Sequence, residues 1–129
     1  MLSDAGFIIV LLALFGIKHF FCDFVFQTSD MVREKGTYGA DGGLNHAMTH
    51  VIGTLLVLMW WFDQETVRWV VVYMAVVDGI IHYHVDWAKQ QLSRGLTPAD
   101  RKFWVWFGAD QALHYLTYVF LIGWALTLR

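Results

Sequence analysis

Residues 66–90 read TVRWVVVYMAVVDGIIHYHVDWAKQ. The first half is a run of Val, Tyr, Met and Ala broken by Arg68; the second carries Asp78, His82 and Asp86. Those three residues stand four apart, so on a helix they share one face. There is no period-two alternation, and the run is too long for an ordinary strand. It is long enough to cross a bilayer, which takes about 20 residues. Ionisable groups inside a span are costly, turn toward other helices, and mark functional sites. The stretch therefore predicts a membrane helix with one polar face, and that face needs partners.

Partners are found in both directions. Apolar segments cover residues 6–27 (GFIIVLLALFGIKHFFCDFVFQ), 45–62 (NHAMTHVIGTLLVLMWWF) and 102–128. Composition agrees: 57% of the 129 residues are hydrophobic and 16% charged, against about 25% charged in soluble domains. Only helices satisfy their own backbone in lipid. The expected fold is all-α, an integral membrane four-helix bundle forming one transmembrane domain over residues 1–129. The N-terminal segment has no basic flank and no small-residue cleavage site, so it is expected to be a retained helix. The single cysteine, Cys22, excludes an intrachain disulfide and a cysteine-based zinc site. The net charge of −2 and the lack of a basic stripe exclude nucleic acid as a partner.

Three connections join the segments. The first, TSDMVREKGTYGADGGL (28–44), is polar and glycine-rich; Glu34 and Lys35 are expected to face solvent, and the loop to act as a lid. The second, residues 63–65, is short enough to make its flanking helices antiparallel. The third, QLSRGLTPAD (91–100), holds the only proline, with Thr97 or Asp100 as the helix cap. Arg33, Lys35, Lys89, Arg94, Arg101 and Lys102 lie at connections one and three, against Arg68 and Arg129 at the other end. The positive-inside rule then puts loops one and three in the cytoplasm and both termini outside.

The other segments repeat the polar spacing. His19, Asp23 and Gln27 stand four apart, as do His46 and His50, and Asp110 and His114. Measured from the helix ends, His19, His82 and Asp110 lie eight residues deep, about 12 Å. Asp23, Asp86, His46 and His50 lie nearer the same side, and His114 slightly deeper. The opposite halves, such as FIIVLLALF and LTYVFLIGWAL, are almost free of polar groups. The polar stripes thus converge on one layer.

Imidazole and carboxylate ligate zinc, manganese and iron, and ligands projecting inward from four helices build dimetal sites in bundles. His19, Asp23, His46, His50, His82 and Asp110 are the candidate ligands. Asp78, Asp86 and His114 are candidates for ligands or for the base that activates water. So many candidates exceed one tetrahedral ion, so either two divalent ions bind or some carboxylates orient ligand histidines. A hydrogen-bonded network without metal is the plainer alternative. Gln27 and Gln111 are expected beside the ligands. Lys18 is expected to snorkel to the membrane surface. His84, out of phase with His82, points elsewhere. Trp60, Trp61, Trp104 and Trp106 are expected at the interfaces, and Gly16, Gly53 and Gly79 where helices approach closely.

The motifs HFFCDFVFQ (19–27), HAMTH (46–50), the HxxxD of HYHVD (82–86) and DQALH (110–114) resemble a bacterial membrane family catalogued as domain of unknown function 3307. The resemblance spans most of the chain and implies four apolar segments and intramembrane His and Asp. It implies no particular reaction. A fainter similarity, of architecture alone, is to small membrane proteins described as metal-dependent hydrolases.

These features point to a multi-pass protein of the bacterial inner membrane with a metal site open to the cytoplasm, hydrolysing a phosphoester of a lipid-like substrate. Its expected partners are membrane lipid and either a second copy or a larger membrane complex. Two other functions fit the same residues. One is a cofactor-binding or accessory subunit that ligates haem or a pigment through His. The other is an ion- or proton-handling protein, although a conduction path needs polar groups through the full thickness.

Overall fold

The computed structural model describes residues 2–62 and 65–129. Among the described residues the fold is all-α, with five helices: α1 (Asp4–Phe20), α2 (Ser29–Glu34), α3 (Asp41–Met59), α4 (Glu65–Leu92) and α5 (Arg101–Leu126). One π-helical turn, Phe21–Val25, extends α1. The four apolar segments correspond to α1, α3, α4 and α5. The sequence reading misses α2, a short helix inside the first connection, and starts α3 four residues late.

Local chemistry sets the ends. Ser3 caps α1 by accepting the Gly6 N–H at 3.2 Å, and Thr28 caps α2 by accepting that of Met31 at 3.3 Å. Asp100 occupies the N-cap position of α5, but its carboxylate turns back to Thr97, accepting from its N–H at 2.8 Å and its hydroxyl at 2.9 Å. The short connection expected at 63–65 falls on residues 63 and 64, outside the described residues. Side-chain pairing nonetheless makes α3 and α4 antiparallel: Thr54 meets Asp78 and His46 meets His82.

The long helices pack in the order α1, α3, α4, α5, with α5 closing on α1. Two glycines permit the closest approaches. A Cβ on Gly79 would collide with Val51, and one on Gly53 would lie 2.8 Å from Lys18 Cγ. Gly16 has no such role, since a Cβ there would meet Tyr115 Oη at an ordinary 3.7 Å. The interior has two layers. Toward the termini it is apolar, built on Phe7, Leu11, Phe15, Leu58, Met74 and Leu121, with Phe15 stacked on Tyr118 at 4.9 Å. Trp61 joins this layer edge-on to Phe7, while Trp60 is 83% exposed. So one of the two adjacent tryptophans turns inward.

The layer toward connections one and three is polar and equally buried. The outer surface is the opposite: Ile9, Ile17, Phe24, Ile52, Leu56, Trp69, Leu116 and Phe120 are all more than half exposed. This inverts the usual partition, in which Lys, Asp and Glu lie outside. By length and composition, one described stretch is apolar enough to cross a membrane, the 22 residues Asp4–Val25.

The first connection is pinned down at several points. Gly42 N–H donates to Glu34 Oε2 at 2.9 Å, Gly39 N–H to Tyr83 Oη at 2.6 Å, and Gln91 Nε2 to Gly36 O at 2.7 Å. The Gly42 N–H, and then Arg33, hold the Glu34 carboxyl below its usual range. A Cβ on Gly42 would sit 2.7 Å from the Asp30 carbonyl oxygen, and a backbone atom cannot swing aside. Gly42→Ala is therefore expected to lift α2 from α3 at a cost of about 1–3 kcal/mol. Limited trypsinolysis would read this as faster cleavage after Arg33 and Lys35 than in the unsubstituted chain.

Candidate metal centre

Each long helix contributes one wall of the polar layer. His19 and Asp23 come from α1 and its π turn, His46 and His50 from α3, His82 and Asp86 from α4, and Asp110 and His114 from α5. All eight are buried. The π turn matters locally. It holds one residue more than a regular turn, as π-bulges at functional sites do, and turns both Cys22 and Asp23 inward.

The side chains converge through their Nε2 atoms and carboxylate oxygens. Asp23 Oδ1 lies 2.7 Å from His50 Nε2, 3.3 Å from His46 Nε2 and 3.5 Å from His82 Nε2. Asp23 Oδ2 lies 3.2 Å from His19 Nε2. Asp86 Oδ2 lies 3.2 Å from His46 Nε2 and 3.6 Å from His82 Nε2, and Asp86 Oδ1 is 3.5 Å from His114 Nε2. Asp110 Oδ1 lies 3.4 Å from His114 Nε2. The rings of His50, His82 and His114 stack, with centroids 3.4 and 4.0 Å apart.

Three overlapping groups have donor atoms all within 4.8 Å of one another: His19, Asp23, His50 and His82; His46, His82 and Asp86; and Asp86, Asp110 and His114. His82 and Asp86 each belong to two of them.

Hydrogen bonding within the layer is incomplete. His46 Nδ1, His82 Nδ1, His114 Nε2 and Asp110 Oδ1 are buried without a hydrogen-bond partner. Each such atom costs about 1–3 kcal/mol. His46 Nε2 and His82 Nε2 face each other at 3.1 Å, where one must donate and the other accept. The charge is also uneven. Asp23, Asp86 and Asp110 are three carboxylates, and Lys35 Nζ, 3.1 Å from Asp86 Oδ2, is the one ammonium bonded to any of them among the described residues. With neutral imidazoles the layer holds two negative charges in excess. Buried charge on that scale is normally paired or bound to metal.

Asp78 stands apart. It lies deeper, bonded to Lys18 Nζ at 2.7 Å and to Thr54 Oγ1 at 2.6 Å, and belongs to none of the convergent groups. Lys18 does not snorkel. It is 7% exposed and its ammonium also donates to His50 Nδ1 at 2.9 Å and reaches Tyr118 Oη at 3.4 Å. Gly53 leaves room for its stem, and the nearby Asp78 makes burial of the charge tolerable. Tyr118 Oη in turn holds His19 Nδ1 at 2.8 Å.

Lys18 decides what His50 can do. An ammonium only donates, so His50 Nδ1 accepts and its proton sits on Nε2, directed at Asp23. In that state His50 offers Asp23 a hydrogen bond and has no lone pair for an ion. His50→Gln preserves an acceptor for Lys18 and a donor for Asp23, so it is expected to leave any metal content close to that of the unsubstituted chain. His82→Ala is expected to lose it, and elemental analysis of the two purified variants checks the contrast.

The layer opens beside α2. A cavity of about 150 Å3 is lined by Asp23, Gln27, Lys35, Lys89, Asp110 and Gln111 among others. Lys35 does not face solvent, as the sequence reading expects, but folds back onto Asp86 and onto Gln27 Oε1 at 2.9 Å. Gln27 donates to Asp23 O at 2.6 Å, and Gln111 turns its Oε1 to His19 Nε2 at 3.1 Å while its Nε2 donates to Asp110 Oδ2 at 3.1 Å. Both glutamines thus sit beside the cluster. His84 is exposed, bonded to Ile80 O and Tyr38 Oη. Thr54 and Tyr118 escape the sequence reading, which turns Lys18 and Lys35 outward; Lys18 adjoins His19, but adjacency does not tell inward from outward.

The structure defines an all-helical protein with a buried His/Asp cluster walled by four helices. The family model described as protein of unknown function (DUF3307) matches residues 10–128, and the chain belongs to that family. No match to the chain is found among the curated proteins or among the solved structures.

Proposed function

We propose that the chain is an integral membrane four-helix bundle that holds one or two divalent ions in the His/Asp layer and hydrolyses a phosphoester of a lipid-like substrate. The observation that carries the reading is the convergence of donor atoms from four helices, with His114 Nε2 and Asp110 Oδ1 buried without a hydrogen bond. His19, Asp23, His46, His82, Asp86, Asp110 and His114 would hold zinc, manganese or iron. Such an ion acidifies water and stabilises charge on a phosphoryl oxygen. Around it, His50 and Gln111 orient carboxylates, Lys35 offsets the charge of Asp86, and the mouth beside α2 admits the head group. Asp78 takes no part beyond neutralising Lys18.

Membrane residence is supported by the apolar outer surface set against a charged interior. The basic residues near connections one and three favour a bacterial inner-membrane protein with that end in the cytoplasm. Lys35 contributes less to this bias than its position suggests, being turned inward. A porphyrin or pigment fits less well, because the stacked rings of His50, His82 and His114 leave no slot for a macrocycle between them. A proton path fits less well too, since the half toward the termini is apolar.

Elemental analysis of protein purified in mild detergent without chelator tests the reading. One or two equivalents of zinc, manganese or iron per chain, with no pigment band, is the expected result. Metal-free protein that remains metal-free after dialysis against each ion would overturn it.

A further inference from the structure

Two cavities meet at the mouth of the polar layer. One is the polar opening beside Asp23 and Asp110. The other is a groove of about 400 Å3 between α4 and α5, lined by Ile81, Val85, Ala88, Trp106, Ala109 and Leu113 among others. The small side chains of Ala88 and Ala109 help keep it open. From Ile80 to Leu92 it follows α4 for about 18 Å. Lys89 and Asp110 line both cavities, so the groove adjoins the opening of the candidate metal centre.

Lys89 differs from its neighbour at the mouth. Lys35 is committed to Asp86 and Gln27. Lys89 has no carboxylate partner among the described residues, and its ammonium lies 5.9 Å from the ring centroids of both Phe103 and Phe107. An unpaired cation at the junction of a polar cavity and an apolar groove matches a ligand with an anionic head and a hydrocarbon chain.

Resting on the hydrolase reading, we infer that this junction binds a phosphate-bearing amphiphile, its chain in the α4–α5 groove and its phosphate held by Lys89 over the mouth. The polar cavity is too small for more than a head group, and the groove is otherwise apolar apart from Lys89, Asp110 and His84, whose ring is already bonded to Ile80 O and Tyr38 Oη. Chain and phosphate therefore separate cleanly between the two.

Calorimetric titration of the full chain in maltoside micelles with dodecyl phosphate, and separately with inorganic phosphate, tests this. Each titration is run on chelator-treated and on zinc-supplied protein. Dodecyl phosphate is expected to bind more than tenfold tighter than inorganic phosphate. Lys89→Ala should weaken it about tenfold, the loss of one charged hydrogen bond, and Lys89→Arg should restore it. Ala109→Trp, at an exposed site on the groove wall, should weaken dodecyl phosphate and leave inorganic phosphate unchanged. Equal affinity for the two ligands, or wild-type binding by both Lys89→Ala and Ala109→Trp, overturns the inference. If the protein takes up no zinc yet the variants behave as expected, the groove stands and the metal centre falls.

Discussion

On the proposed metal-centre reading, Asp86→Asn is expected to strip the layer of metal. Asp86 belongs to two of the three convergent groups, one shared with His46 of α3 and one with Asp110 and His114 of α5. Asparagine keeps the size but removes the charge and turns one ligand oxygen into an N–H donor directed at imidazole nitrogen. It also leaves Lys35 facing an amide, so the layer loses a candidate ligand and Lys35 loses its ion-pair partner together. Metal ions contribute several kcal/mol of transition-state stabilisation, so the loss of about 4 kcal/mol predicts about a 10³-fold drop in hydrolysis. The measurement is metal per chain beside turnover of a lipid phosphoester, with helical content as the control. A folded Asp86→Asn protein with its full complement of metal would remove Asp86 from the ligand set.

Lys18→Met is expected to be the most destabilising single change. It leaves Asp78 buried and unpaired, and takes from His50 Nδ1 its donor. Breaking a buried ion pair by removing one partner costs about 3–5 kcal/mol. The double variant Lys18→Met/Asp78→Asn removes both charges and should recover much of the loss, because paired residues are not additive. Unfolding midpoints of the two single variants and the double variant, in one detergent, give the coupling directly. A lysine snorkelling to the surface would show almost no effect, so an unaltered Lys18→Met midpoint would return Lys18 to the outside.

The two variants also separate two roles that look alike in the sequence. Asp78 and Asp86 stand on the same face of the same helix, each aligned with His82. Eight residues of helix separate them by about 12 Å, too far to share one ion. Spacing alone groups them together; depth distinguishes them only once the opposite helix is known. At the level of Asp86 that helix offers His46 and, from the first connection, Lys35. At the level of Asp78 it offers Thr54, and α1 offers Lys18.

Other elements divide in the same way. The i, i+4 stripes are a property of helical geometry, so the convergence of His19, Asp23, His46, His50, His82, Asp86, Asp110 and His114 was legible before any coordinates. The helix α2 was not, because SDMVRE is too short to show a period and relies on the Thr28 cap and the Gly42 contact. The π turn at Phe21–Val25 was hidden because a local change of winding leaves no mark in composition.

What the sequence by itself determined is the helical class, the four long helices, and the face of each that carries imidazole and carboxylate. Backbone periodicity and the cost of burying unpaired polar groups suffice for that. Only the tertiary structure decided which charges meet. Lys18 and Lys35 each have long stems that reach inward or outward at similar cost, and a glycine or an aspartate on another helix tips that choice. The proton on His50, and with it whether Nε2 donates or accepts, follows from where Lys18 comes to rest.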